Sequence, residues 1–122
     1  MKVLLSIKPE FAERIFDGSK KYEFRKAIFK NPNVKTVVVY ASSPVQRVIG
    51  EFDIATILID EPTALWKETK EHSGITKDFF FDYFDQRDIG YAIEVKDVRR
   101  YKNSQCLRTH YKKTPPQSFC YV

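Results

Sequence analysis

The 122 residues are 43% hydrophobic and 15% aromatic, enough apolar material for one core and too much for a disordered chain. The formal net charge of +5 makes polyanions, nucleic acid first among them, candidate partners. No apolar run is long enough to cross a bilayer, so no membrane partner is expected.

The charge is unevenly spread. Residues 1–50 carry +6, residues 51–94 carry −7 and residues 95–122 carry +6. If the two basic ends meet in space, they form one positive face opposite a negative one. Cys106 and Cys120 have no metal-type spacing, and a cytoplasmic protein with free thiols is the default reading. A single domain over 1–122 and a monomer are expected, with no cofactor or metal.

In chain order, "KVLLSI" at 2–7 reads as a strand with Val3, Leu5 and Ile7 facing the core. Pro9 suits the first turn of a helix, which continues through Phe11, Ala12, Ile15 and Phe16 at helical spacing and stops at Gly18. The next strand runs over about 21–26. Tyr22 and Phe24 point to the core, while Lys21, Glu23 and Arg25 point the other way. "KTVVVYAS" at 35–42 is a β-branched strand closed by Ser42, Ser43 and Pro44. "RVIGEFDIATILID" at 47–60 is a long strand with Gly50 at a plausible bulge.

Two acidic helices follow, one opening at Pro62 and one after Thr76, a good N-cap. "DIGYAIEVKDVRRY" at 88–101 returns to strand. The last twenty residues are basic and irregular, but Phe119, Tyr121 and Val122 make the tail apolar enough to dock as a strand. The order β-α-β-β-β-α-α-β, with a final strand in the tail, does not alternate regularly. It points to an α+β protein with a small mixed or mainly antiparallel barrel and flanking helices rather than a doubly wound sheet.

"SIKPEFAERIFDGSKKYEFRK" resembles the ASCH domain (activating signal cointegrator homology), a member of the PUA-like group of RNA-associated barrels. The shared feature is a helix followed by Gly-x-Lys-x-x-x-x-Arg entering a strand, here Gly18, Lys20 and Arg25 with Glu23 between them. "VVVYASSPVQRVIGEF" and the ending "PPQSFCYV" also resemble the small prokaryotic and phage branch of this family. The resemblance implies a PUA-like barrel with a cleft along this strand that takes RNA or a nucleotide. One branch, the N4-acetylcytidine amidohydrolases, deacylates with a lysine, a threonine and a glutamate. The lysine corresponds to Lys20, the threonine position holds Glu23, and the glutamate falls near Glu71 to Ser73, where the match is poor. Other members are ribonucleases.

The expected ligand-binding set is therefore Lys20, Lys21, Glu23, Arg25 and Lys26, joined by Tyr40, Ser42 and Ser43 at a strand end. Gln117, Ser118 and Phe119 would close the cleft. Arg25 can fork onto a phosphate. Lys20 can contact phosphate or act as a base if burial lowers its pKa. An amide can read a base edge and a ring can stack on one. Lys8, Lys26, Arg99, Arg100, Lys112 and Lys113 would follow a nucleic-acid backbone. The expected partner is RNA, single-stranded nucleic acid or a modified nucleotide. If the protein is an enzyme, Lys20 and Glu23 are the catalytic pair. His72 and His110 read as surface residues, and the aromatic run at 79–81 as helix packing. The acidic helices offer an alternative role as a protein-interaction surface.

Overall fold

A computed structural model describes residues 1–122. Its elements are β1 (Lys2–Ile7), α1 (Pro9–Asp17), β2 (Tyr22–Arg25), β3 (Thr36–Ala41), β4 (Arg47–Asp60), α2 (Pro62–Thr69), a 3-10 turn (Lys70–His72), α3 (Lys77–Tyr83), β5 (Gly90–Gln105), α4 (Leu107–Tyr111) and β6 (Phe119–Tyr121). All strands join one sheet in the order β2-β5-β4-β3-β1-β6. β1 and β3 pair in parallel, and the other neighbours are antiparallel. The architecture is mixed α+β, as the element order predicts.

The position of β1 and β3 inside the sheet explains the consecutive buried apolar residues Val3–Leu5 and Val37–Ala41, because strands in the middle of a sheet are covered on both faces. Val3, Leu5 and Ile7 join Val37, Val39, Phe52 and Ile93 on one face, where α1 adds Ala12 and Ile15. Leu4, Val38, Tyr40 and Val48 occupy the opposite face under Leu107 of α4. A third cluster joins Phe24 and Ala92, paired across β2 and β5, to Leu65, Phe80 and Phe84 of the acidic helical region. Three apolar layers thus hold one sheet to three groups of helices.

The sheet curls without closing. Its two edges are β2 and β6, and no ladder joins them. Arg25 spans the opening instead. Its Nη1 donates to Ser6 O of β1 at 3.3 Å, and its Nη2 donates to Ser118 O, just before β6, at 2.7 Å. The expected barrel is thus a half-barrel with an arginine clasp across its seam. Strand irregularities supply bend: the β3–β4 register slips between Val39 and Tyr40, leaving Ile49 as the extra residue beside Gly50.

The chain ends do meet, through β1–β6 pairing, but much of the local charge is internally paired. Glu51 accepts from Lys2, Arg99 and Tyr101. Asp53 accepts from Arg99 and Thr36. Arg100 forks onto Glu13 at 2.6 and 2.7 Å. Arg99 and Arg100, expected to follow a nucleic-acid backbone, are therefore tied to carboxylates. The tail, expected to be irregular, contains the short helix α4, whose Leu107 covers the outer sheet face. No helix is long and apolar enough to cross a membrane.

Candidate functional site

The seam between β2 and β1 opens into a cleft of ≈ 300 Å³. Its floor is polar: Lys20, Glu23 and Arg25. Its walls are Phe11 of α1, Phe24 of β2, and Ile75, Phe79 and Tyr83 from the α3 side. Ser6, Lys8 and Gln117 complete the rim.

Backbone geometry sets this floor. Gly18 ends α1 in the left-handed region at φ 89°. Ser19 N then bonds Asp17 Oδ1, and Lys20 N bonds Arg14 O at 2.9 Å. Lys20 therefore belongs to the turn and not to β2. That frees it from the strand alternation that would aim it away from Glu23. Glu23 pairs with Ile93 and Arg25 with Tyr91 on the concave side of the sheet, while Phe24 goes to the opposite side under α3.

Lys20 is 1% exposed and Glu23 5%. The Lys20 ammonium donates to Ser73 O at 2.8 Å and lies 4.0 Å from Glu23 Oε1. It also sits over the rings of Phe24 and Phe11, at 4.7 and 5.4 Å from their centroids. Burial pulls its pKa from 10.5 down to about 8; the attraction of Glu23 opposes that fall and Arg14 assists it. Glu23 Oε2 accepts from Arg25 Nη1 at 3.3 Å. The Ser73–Ile75 segment is pinned by Arg14, which donates to Gly74 O at 2.7 Å. Gly74 has φ +68°, and a Cβ there would stand 2.4 Å from Lys20 Cβ. The segment can pass this close to the lysine stem only as glycine.

Of the expected ligand set, Lys20, Glu23, Arg25 and Gln117 line one cleft. Lys26 lies at its edge, with Nζ 4.8 Å from the Tyr83 ring centroid. Ser118 contributes its carbonyl to Arg25. The others are elsewhere. Lys21 is exposed, and its backbone bonds His72 O and Val95 N. Tyr40 is buried on the other face of the sheet. Ser42 and Ser43 form the β3–β4 turn outside the cleft lining. Phe119 packs on the main core and edge-on to Phe29. Arg25, read as a free phosphate fork, spends both Nη1 hydrogens and one Nη2 hydrogen within the chain. His72 and His110 are exposed.

The aromatic wall is what sequence reading missed. Phe80 and Phe84 face the core, while Phe79 and Tyr83 form a second stripe one residue earlier, facing the cleft. Two aromatic pairs at i,i+4, offset by one, are more than one buried helix face needs, and that was the available signal. Phe79 meets Phe11 edge-on at 5.1 Å and carries Lys8 Nζ at 5.1 Å. Burial raises the Tyr83 phenol pKa.

A second, open concavity of ≈ 680 Å³ lies beyond the seam, bordered by Arg108, Lys112, Lys113, Thr114 and Cys120. Residues 116–118 connect the two regions: Pro116 O accepts from Ser6 Oγ, Gln117 lines the cleft and Ser118 O accepts from Arg25.

The chain is similar to proteins of several names and lengths. A family model described as a domain of unknown function (DUF365) matches residues 1–112. The chain is 31% identical over 121 residues to an ATP synthase subunit alpha of Ureaplasma parvum, covering 98% of this chain but only 15% of that protein. It is 27% identical over 124 residues to an ASCH domain-containing ribonuclease of Zymomonas mobilis, covering 99% of this chain and 84% of the relative. The crystal structure of ASCH from Zymomonas mobilis superposes with a TM-score of 0.91 at 26% identity, over 99% of this chain and 87% of the other.

Proposed function

The chain belongs to the DUF365 family and to the ASCH group of PUA-like domains, and from that premise we propose that it binds single-stranded RNA, seating one unpaired nucleotide in the seam cleft. The observation that carries this reading is the combination of an aromatic wall with a buried Lys20–Glu23 floor in ≈ 300 Å³. A flat heterocycle needs faces to stack on and a few fixed polar atoms to read its edge. Lys8 and Lys26 at the rim, and Lys112 and Lys113 beyond the 116–118 segment, would follow the backbone on either side. The ribonuclease named among the relatives supports RNA as the polymer.

Titration with short single-stranded RNA and duplex DNA at two salt concentrations tests the proposal. If those four lysines each meet a phosphate, raising salt from about 50 to about 200 mM should weaken RNA binding roughly 50-fold. Salt-independent binding, or none at low salt, refutes it.

A second reading is hydrolysis of the bound RNA, favoured by the same named relative and by the low pKa of Lys20. Glu23 would take the 2′-hydroxyl proton and Lys20 would protonate the leaving 5′-oxygen. Product analysis on the titration samples tests it, since turnover must vanish in Lys20→Ala.

A further inference from the structure

The floor of the cleft presents its polar atoms in a fixed order, and that order selects among bases. Lys20 has three N–H groups. One is given to Ser73 O, and Glu23 Oε1 at 4.0 Å is beyond hydrogen-bond reach, so two are uncommitted. Glu23 Oε1 accepts no hydrogen bond from the chain, and Oε2 accepts one, from Arg25. No fully buried side-chain polar atom lacks a partner, so the free capacity of Oε1 faces the cleft. Arg25 Nη1, the donor beside Oε2, has already given both hydrogens, to Ser6 O and to Glu23. Read across the floor, the available groups are donor, acceptor, acceptor.

Resting on the RNA reading above, we propose that the cleft selects guanine. The Watson–Crick edge of guanine runs acceptor, donor, donor: O6, N1–H and the N2 amino group. O6 takes an N–H of Lys20, while N1–H and N2–H go to the two oxygens of Glu23. Uracil matches the first two positions but sets its O2 against Glu23 Oε2. Adenine and cytosine each match one donor and one acceptor and leave the third position empty. The ring itself lies among Phe11, Phe79 and Tyr83. Lys20 and Glu23 lie at the bottom of the cleft with little exposed surface, and a base seated there displaces the water on them, which raises the cost of leaving either group without a partner.

The test uses hexauridine RNAs carrying one central guanosine, adenosine, cytidine or inosine, followed by fluorescence anisotropy on the full chain, with guanosine monophosphate as a separate arm. Guanosine should bind roughly tenfold or more tighter than the other natural bases. Inosine, which lacks the N2 amino group, should fall between. Glu23→Gln should flatten the preference, and the inosine arm reads the same contact without any substitution. Equal affinity for all four oligomers overturns the guanine assignment and leaves the RNA reading standing. So does a guanosine preference that survives Glu23→Gln in a folded variant. Guanosine monophosphate binding as tightly as the oligomer supports the edge reading and makes the free nucleotide the ligand. Failure of every oligomer and of the nucleotide overturns both proposals.

Discussion

Replacing Lys20 with methionine should change how stability depends on pH. An unfolded chain holds the lysine proton up to about 10.5, whereas the folded chain releases it near 8. Between those values the unfolded state binds more protons, so raising the pH favours folding. The full gap is worth about 3 kcal/mol, of which about 2 kcal/mol should appear between roughly pH 7 and 9.5. Methionine keeps most of the apolar stem and cannot titrate. Urea denaturation of both proteins across that range isolates the effect, because tyrosines and other lysines cancel in the difference. The methionine variant's stability relative to wild type should fall by about 2 kcal/mol as pH rises, or about 1 M in urea midpoint. Any constant offset from the lost bond to Ser73 O does not matter. Parallel pH profiles would refute the burial argument and make the lysine an ordinary solvated amine.

Gly74→Ala should cost about 1–2 kcal/mol from the left-handed backbone alone, and should also weaken ligand binding, because its Cβ meets Lys20; paired urea melts and RNA titrations check both effects. Arg25→Met removes the clasp to Ser6 and Ser118 and leaves Glu23 without its hydrogen-bond partner, a loss of about 3 kcal/mol. Hydrogen exchange should then quicken first in β6, and unchanged protection there would show the clasp to be dispensable. Glu51 is pushed up by burial, but bonds from Arg99, Tyr101 and Lys2 hold its pKa below the ordinary 4.5. Its stabilisation is therefore present at neutral pH and lost as pH falls through 4.5 and below, so Glu51→Gln should lose less stability than wild type between about pH 5 and 3.

The sheet was readable because its cues are local. β-branched runs, Pro at a helix start, Gly at a helix stop and Thr76 as a cap each act over a few residues. The floor of the cleft was readable for the same reason, since Gly18, Lys20, Glu23 and Arg25 fall within eight positions. What escaped depends on contacts between distant segments. The Arg25 guanidinium looks free in sequence, and only the curl of the sheet brings Ser118 to it, 93 positions away. Tyr40 ends a strand next to the right turn, yet the parity of β3 places it on the far face. Arg99 and Arg100 look like surface charge, but β4 and α1 supply the carboxylates that hold them. Phe79 and Tyr83 were hidden by Phe80 and Phe84, because one aromatic-rich helix serves the core and the cleft at once.

The half-barrel makes the width of its mouth a cumulative quantity. The wall carrying Glu23 and the wall carrying Ser6 sit on strands separated along the sheet by β5, β4 and β3. The distance between them therefore sums the twist of every intervening strand, much as the gap of a split ring depends on the curvature of its whole band. A small change at the Ile49 bulge, on the far side from the mouth, would be multiplied by the time it reaches the jaws. The spacing of the two walls thus depends in part on residues that never touch the cleft. Arg25 is where aperture and chemistry meet: it belongs to the floor through Glu23, and it ties one wall to Ser6 and Ser118 across the mouth.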